Sequence, residues 1–512
     1  MTVTASQLYD HAACPRRVDL DAHGDPARRG EVSAFVRMLW QAGAHHEAEI
    51  VKSLPGDTVR LAGLAGADRA ALTLKAMNAG APVIHGGRIA ADDLLGDPDL
   101  LLRQGDRYVP ADVKSGRADE DGGDEAGSGR LKLQYALQVA LYVDVLERLG
   151  LSAGRTPEIW DVRGDKVPYH LDERRGVKSQ ETWWSRYEAD RNAVRAILAA
   201  PHSTRGAFSS ICGLCHWREH CADELGASDD LTQIPFLGRT LRDGMAASIR
   251  TVRDFAAADP EAFVVGRKTV FAGIGPDRLR TFHARARLLS EDGAVAYLKS
   301  PINLPSAAVE IFFDIEADPM RDVVYLHGFV ERRDREPGTE TFSAFFADDP
   351  SPAGERQAFA DAIAYLDARP DAAVFHYSKY ERTAYRKLQR RFPEVCTAEV
   401  VEALFTPPRA TDLYCDVVLK ATEWPTRSHS IKSLAKHLGF RWRDADPSGA
   451  ASIEWYHRWI ETGDPAVRRR IVDYNEDDCL ATRVLLDGIR TLPVQGADPA
   501  RASGPLPTID LF

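Results

Sequence analysis

Apolar and polar positions alternate along two short runs near residue 100. Pro98 to Arg103 and Tyr108 to Lys114 flank the turn Gln104-Gly105-Asp106, a pattern that predicts a β-hairpin. Downstream, Leu133 to Tyr142 is so apolar that it predicts a buried helix, with Gln138 and Tyr142 four apart on one face. Upstream, Gly43-Ala44-His45-His46-Glu47 lies in a helical stretch. Short helices separated by glycine turns are expected from about 228 to 290. The apolar strand Ala308 to Phe313 follows and ends with Asp314 and Glu316 on the same face. Val374 to Glu381 reads as a strand leading into a helix. Tyr474 to Cys479 runs on into the helical Leu480 to Arg483, which sets Tyr474 and Asp478 one turn apart.

These elements divide the chain into an α/β multidomain protein: residues 1–225, a helical linker 226–300, a second α/β domain 301–492 and a tail 493–512. The length of 512 residues agrees with about three domains at roughly 150 residues each. Within the first domain, Arg117 to Arg130 is acidic and Gly-rich and is expected to be a flexible surface loop; the Pro/Ala/Gly-rich tail from Pro493 is expected to be disordered. Hydrophobic residues at 44% and charged residues at 28% are ordinary for a soluble protein. The net charge of −11 excludes a polycation, so any nucleic acid must sit in a local basic groove. No apolar run approaches the roughly 18 residues of a membrane span, and the first residues lack a signal-peptide pattern, so a cytoplasmic location without a membrane partner is expected. No phosphate-binding Gly-x-x-x-x-Gly-Lys-Ser/Thr loop occurs, which argues against a built-in ATP motor and leaves unwinding to a separate helicase or the substrate to existing single strands.

Chemistry enters first at the hairpin. Asp112 and Lys114 are two apart on one strand face, and Asp99 can meet them across the turn. Two carboxylates beside a lysine suit hydrolysis: the carboxylates bind Mg²⁺ or Mn²⁺ and the lysine orients water or stabilises developing charge. An amphipathic hairpin with solvated charges is the plainer alternative. Gln138, buried in an apolar helix and needing a polar partner, weighs against it. The set resembles the RecB family of PD-(D/E)XK nucleases over the first ~220 residues. That resemblance places His46 or Glu47 in the first motif, Asp99 in the second and Asp112-Val113-Lys114 in the third. Gln138 and Tyr142 match the family's Gln-x-x-x-Tyr, which positions the strand.

Seven cysteines, an odd number, argue against a disulfide framework. Cys212, Cys215 and Cys221 form a Cys-x-x-Cys-x₅-Cys loop, and Cys14 supplies a fourth thiolate. Four thiolates bind either zinc or an iron–sulfur cluster, with His216 and His220 keeping zinc open. One cysteine before the nuclease core and three after it resembles the iron–sulfur nucleases of this family. The resemblance implies a structural [4Fe–4S] cluster joining the two ends of the domain.

In the second α/β domain, Asp314, Glu316, Glu381 and Asp478 come from distant segments, a supply that suits a two-metal site with Tyr474 orienting the nucleophilic water. The plainer reading is a charged strand end plus an acidic first turn favoured by the helix dipole. The domain resembles ribonuclease H-like 3′–5′ exonucleases of the DEDD type, with Asp314 and Glu316 in the first motif, Glu381 where Asp is usual in the second, and Tyr474 with Asp478 in the third.

Between the domains, Phe271 to Leu279 resembles a helix-hairpin-helix turn, with Ile234 to Leu241 a weaker copy. Gly273 and Gly275 would let the backbone approach a DNA phosphate, with Arg278, Arg280, Arg285 and Arg287 adding positive charge; a helical linker packed on its neighbours is the alternative. At the tail, Ile509, Leu511 and Phe512 resemble the peptide by which bacterial repair enzymes dock on the sliding clamp. The whole chain thus resembles bacterial RecB-like nucleases that join an iron–sulfur PD-(D/E)XK domain to a ribonuclease H-like domain. The expected activity is metal-dependent hydrolysis of DNA, from ends or in single strands, in repair or recombination. A non-catalytic DNA-binding adaptor with decayed sites and an RNA-processing nuclease are the alternatives.

Overall fold

The computed structural model describes residues 1–119, 130–176, 179–445 and 447–495. Most of the Arg117–Arg130 loop and the terminal Ile509, Leu511 and Phe512 lie outside the described residues. The chain forms two compact units, Met1–Asp223 and Glu224–Phe512.

The first unit is built on a six-stranded sheet of β1 (Val59–Arg60), β2 (Val83–His85), β3 (Leu100–Gln104), β4 (Arg107–Val113), β5 (Glu158–Trp160) and β6 (Lys166–Pro168), paired in chain order. The expected hairpin is β3–β4, antiparallel with Leu100 opposite Ala111. Its turn carries Gly105 at φ +67°, a left-handed conformation that glycine adopts without strain. Its helices include α1 (Ala5–Ala13), α2 (Pro15–His23), α3 (Ala34–Lys52), α4 (Leu133–Arg148) and α5 (Trp183–Ala199). Capping boxes at Thr4/Gln7 and Thr182/Ser185 start α1 and α5. The apolar helix α4 is the centre of the core: from Tyr135 to Leu146 every residue except Gln138 is buried.

The second unit holds a five-stranded sheet of β7 (Val309–Asp318), β8 (Val323–Arg333), β9 (Thr341–Phe346), β10 (Ala373–His376) and β11 (Ala410–Asp412). The spatial order is β9-β8-β7-β10-β11, the first three antiparallel and the rest parallel to β7. Helices α6 (Arg239–Met245) and α7 (Pro276–Ser290) belong to the same unit. They precede α8 (Pro352–Asp367), α9 (Tyr380–Arg391), α10 (Ile431–His437), α11 (Gly449–Thr462) and α12 (Pro465–Thr491). Asp464 caps α12 and Pro465 occupies its first turn.

The tail departs from expectation at its start. Leu298 donates its amide to Pro493 O at 2.8 Å and accepts from Gln495 N at 2.8 Å, so this short segment adds to a strand instead of being disordered. Val494 packs on the core around Trp424 and Leu485, and that apolar contact accounts for the order.

Candidate active sites

In the first unit the pleat of β4 aims Asp112 and Lys114 the same way, and Lys114 Nζ lies 2.5 Å from Asp112 Oδ2. Asp99 sits just before β3. Its Oδ2 accepts from Val113 N at 2.8 Å and its own amide donates to Asp112 Oδ1 at 3.4 Å, which locks the two carboxylates across the hairpin. Burial, then the neighbouring Asp112 charge, pushes the Asp99 carboxyl well above its ordinary range. Burial alone would lower the Lys114 pKa, but Asp112 and Asp99 outweigh it and hold the ammonium firmly protonated.

Of the two first-motif candidates, Glu47 is the one whose charge acts on Asp99. Its Oε1 is 3.2 Å from Nε2 of the buried His85, a residue that the sequence reading did not single out. His46 Nε2 is buried and has no hydrogen-bond partner among the described residues. Gln138 does meet the polar partner its helix demanded: Nε2 donates to Tyr142 Oη at 3.1 Å, and that hydroxyl donates to Asp97 O at 3.3 Å.

The four cysteines line one cavity together with Arg17 and Trp217. Cys14 joins α1 to α2, while Cys212 and Cys215 lie in and after the turn Ser210–Leu214 and Cys221 in the helix Arg218–Ala227. Metal–sulfur bonds of about 2.3 Å around one tetrahedral ion would bring thiolates within roughly 4 Å of one another. Among the described residues the cysteines do not form a set of ligand atoms within 4.8 Å. The structure therefore shows no cysteine ligand cluster among the described residues, for zinc or for iron–sulfur, and His216 is occupied elsewhere, with Nε2 2.8 Å from Asp21 Oδ1.

In the second unit one set of three carboxylates does converge: Asp314, Glu316 and Asp478 have ligand oxygens within 4.8 Å of one another. The pleat of β7 supplies the first two, and Asp314 lies opposite Gly328 in the register with β8. Asp478 comes from α12, which runs on well past it in both directions. The acidic-first-turn alternative is thereby overturned, because mid-helix acids gain nothing from the dipole. Burial, then Asp478 and Glu316, raises Asp314 well above the ordinary carboxylate range, and burial with Asp478 pushes Glu316 up to about 8. Three mutually repelling acids, Glu316 and Asp478 buried and Asp314 half-buried, fit a hard divalent cation such as Mg²⁺ or Mn²⁺.

Other side chains hold the cluster in place. Asn475 Nδ2 donates to Asp314 Oδ2 at 2.7 Å, and Trp442 Nε1 donates to Asp478 Oδ1 at 2.6 Å. Glu381, at the start of α9, stands outside the set of three but adds its charge at Asp314. It lies 3.5 Å from Nδ1 of the buried His376. Tyr474 is buried beside Asp478, and burial followed by that charge keeps its hydroxyl protonated. Neither Asn475, Trp442 nor His376 carries a sequence signal of its own; each becomes visible only when its partner is in place.

Ahead of the sheet, the two helix-hairpin-helix-like turns adopt matching backbones. Gly273 has φ +78° and Phe236, at the corresponding place, φ +69°; Gly275 and Gly238 then cap α7 and α6. Arg278 braces the pair, donating to Gly273 O at 3.5 Å and Phe236 O at 3.4 Å. Two of the expected surface cations are otherwise employed. Arg285 is buried against Glu423 at 2.7 Å, and Arg280 pairs with Glu261 at 2.7 Å.

Comparison with protein families gives one match in each unit. Residues 3–222 match the PD-(D/E)XK nuclease superfamily, and residues 311–489 match the RNase H superfamily. The chain thus joins a PD-(D/E)XK nuclease domain to an RNase H-like domain, an architecture that indicates a nuclease-class hydrolase. No curated protein matches it. Among the described residues, no helix is long and apolar enough to cross a membrane.

Proposed function

We propose that this protein is a divalent-metal-dependent nuclease that hydrolyses DNA from ends or in single strands, in repair or recombination. The observation that carries the reading is the convergence of Asp314, Glu316 and Asp478, a cluster whose charges oppose one another unless a cation lies between them. Bound Mg²⁺ or Mn²⁺ would polarise a phosphodiester and generate a nucleophile from water. Around it, Tyr474 orients that water, Asn475 and Trp442 fix two of the carboxylates, and Glu381 serves a second ion. In the first unit Asp99 and Asp112 hold metal with Glu47, Lys114 stabilises developing charge, and Tyr142, held by Gln138, positions the strand.

The paired turns at Gly273 and Gly275, braced by Arg278, are read as a DNA phosphate contact, supported by their matching backbones. Cys14, Cys212, Cys215 and Cys221 are read as ligands of a [4Fe–4S] cluster, supported by the one cavity they line. Iron and acid-labile sulfide assays on anaerobically purified protein test this; zinc or no metal in the preparation overturns it. Duplex unwinding falls to a separate helicase, and the terminal Ile509, Leu511 and Phe512 to clamp binding, which a pull-down with the last five residues deleted tests.

The deciding experiment uses end-labelled single- and double-stranded DNA, with RNA of the same sequence, in Mg²⁺ or Mn²⁺. Wild type, Lys114→Ala, Asp314→Ala and the double variant are compared. Loss with either single change and abolition in the double supports two working sites, and each single variant's product ladder gives the other site's polarity. Four equally inert proteins that still bind DNA would make the chain an adaptor, and faster cleavage of RNA would change the substrate.

A further inference from the structure

The groups around Tyr474 are not all acids. Helix α10 opens with Ser430 as its cap, the serine hydroxyl accepting from Ser433 N, and its second residue, Lys432, reaches the carboxylate cluster. Lys432 Nζ lies 2.6 Å from Tyr474 Oη and 3.5 Å from Asp478 Oδ2. The ammonium also sits 4.8 Å from the centre of the Tyr474 ring. Asp478 is thus held on two sides, its Oδ1 by the Trp442 indole and its Oδ2 facing Lys432. The lysine side chain is only 27% exposed, so it is not a solvated surface charge.

We propose that Lys432 is a positioning residue of the RNase H-like site, acting through the hydroxyl of Tyr474; this rests on the reading of that site as a metal-dependent phosphodiesterase. An ammonium can only donate hydrogen bonds, whereas a phenol has one proton to give and lone pairs to accept with. While Lys432 donates to Oη, the tyrosine proton cannot point at the lysine. It is aimed at the acceptors on the other side, which are the Asp478 carboxylate and the water that attacks. Without Lys432 the hydroxyl rotates among several carboxylates, and the water loses a fixed partner. Charge balance alone does not explain the contact. Balance would need only proximity to the acids, and the shorter distance is the one to the neutral phenol.

The test uses the full chain in an Asp112→Asn background, which removes the first site from both readouts. Lys432→Met, Tyr474→Phe and their combination are compared with the parent on end-labelled single-stranded DNA, and Mn²⁺ binding is titrated calorimetrically. We expect Lys432→Met to lower kcat about a hundredfold, as for loss of one preorganised donor, with KM little changed. Adding Lys432→Met to Tyr474→Phe should cost almost nothing further, because the two act as one unit. Mn²⁺ affinity should rise by about threefold or more, since a cation beside Asp478 is gone. Independent losses that multiply, a loss confined to KM, or Mn²⁺ affinity that falls together with kcat would each overturn the proposal. A parent with no activity that Asp314→Ala abolishes would instead defeat the phosphodiesterase reading. The Mn²⁺ titration still decides for Lys432 in that case, because an unchanged or weakened affinity ends the inference.

Discussion

Gly328 sits in the middle of β8 opposite Asp314, and its missing Cβ is what admits Asn475. A Cβ built there would overlap Asn475 Oδ1 outright and lie 2.8 Å from Asn475 Cγ and 3.1 Å from Phe342 Cε2. Gly328→Ala therefore forces the asparagine to move. Moving it breaks the Nδ2 bond to Asp314, worth about 1–3 kcal/mol, and leaves a fully buried amide without a partner, at about 1–3 kcal/mol more. Forcing the alanine in without moving the asparagine costs a similar 1–3 kcal/mol or so in overpacking. We expect about 3 kcal/mol of destabilisation, which for a unit of this size lowers Tm by roughly 6–12 °C. Calorimetric melting of the full chain in EDTA reads it without interference from metal. The companion variant is Asn475→Ala, which removes the obstruction. Gly328→Ala added to Asn475→Ala should then cost little beyond Asn475→Ala alone. A Gly328→Ala protein within about 0.5 kcal/mol of wild type, or costs that simply add, would refute the close-approach argument.

Three further outcomes follow from the same geometry. Glu316 is pushed up to about 8 and Asp314 is raised too, so the folded metal-free protein keeps protons that the unfolded chain has lost. Its stability should therefore fall as pH rises from the ordinary carboxylate range to about 8, and Mn²⁺ affinity, which needs those protons gone, should rise over the same window; equal affinity at the two ends of that range would contradict this. Arg285→Met leaves Glu423 buried with Lys299, at 3.0 Å, as its remaining ion-pair partner among the described residues, and should destabilise the second unit by about 3 kcal/mol in a denaturant melt, largely recovered by adding Glu423→Gln. Gly96→Ala places a Cβ 2.5 Å from Tyr142 Cδ1 and 2.8 Å from Cε1, and should cost about 2 kcal/mol and reduce first-site cleavage in an Asp314→Ala background; unaltered cleavage would detach Tyr142 from the site.

Strand pleat makes paired charges of both candidate sites legible in the sequence. Asp112 with Lys114 and Asp314 with Glu316 are each two apart, and period two alone sets them on one face. Period four did the same for Tyr474 and Asp478, although the local string looked like a helix start when it lies deep inside α12. Charge was read less well. Four arginines of α7 resembled a basic surface, but Arg285 is buried on Glu423, more than a hundred residues along the chain. No window of sequence contains both partners, so a buried pair and a solvated charge look alike there.

The same limit explains why the supporting side chains were missed while the carboxylates were found. Clustered acids announce themselves, because unpaired they would be too costly to gather without a use. Lys432 on a short helix, Trp442 in a loop and Asn475 inside an acidic string are each unremarkable alone. Their roles are set by one contact apiece, to Tyr474, Asp478 and Asp314. Gly328 is the sharpest instance, since a glycine within a strand loses packing and backbone entropy with no turn to justify it. Its reason is the Asn475 amide from a helix far along the chain. A glycine that local structure does not need and a buried amide that local structure cannot satisfy are two halves of one feature, and only the fold joins them.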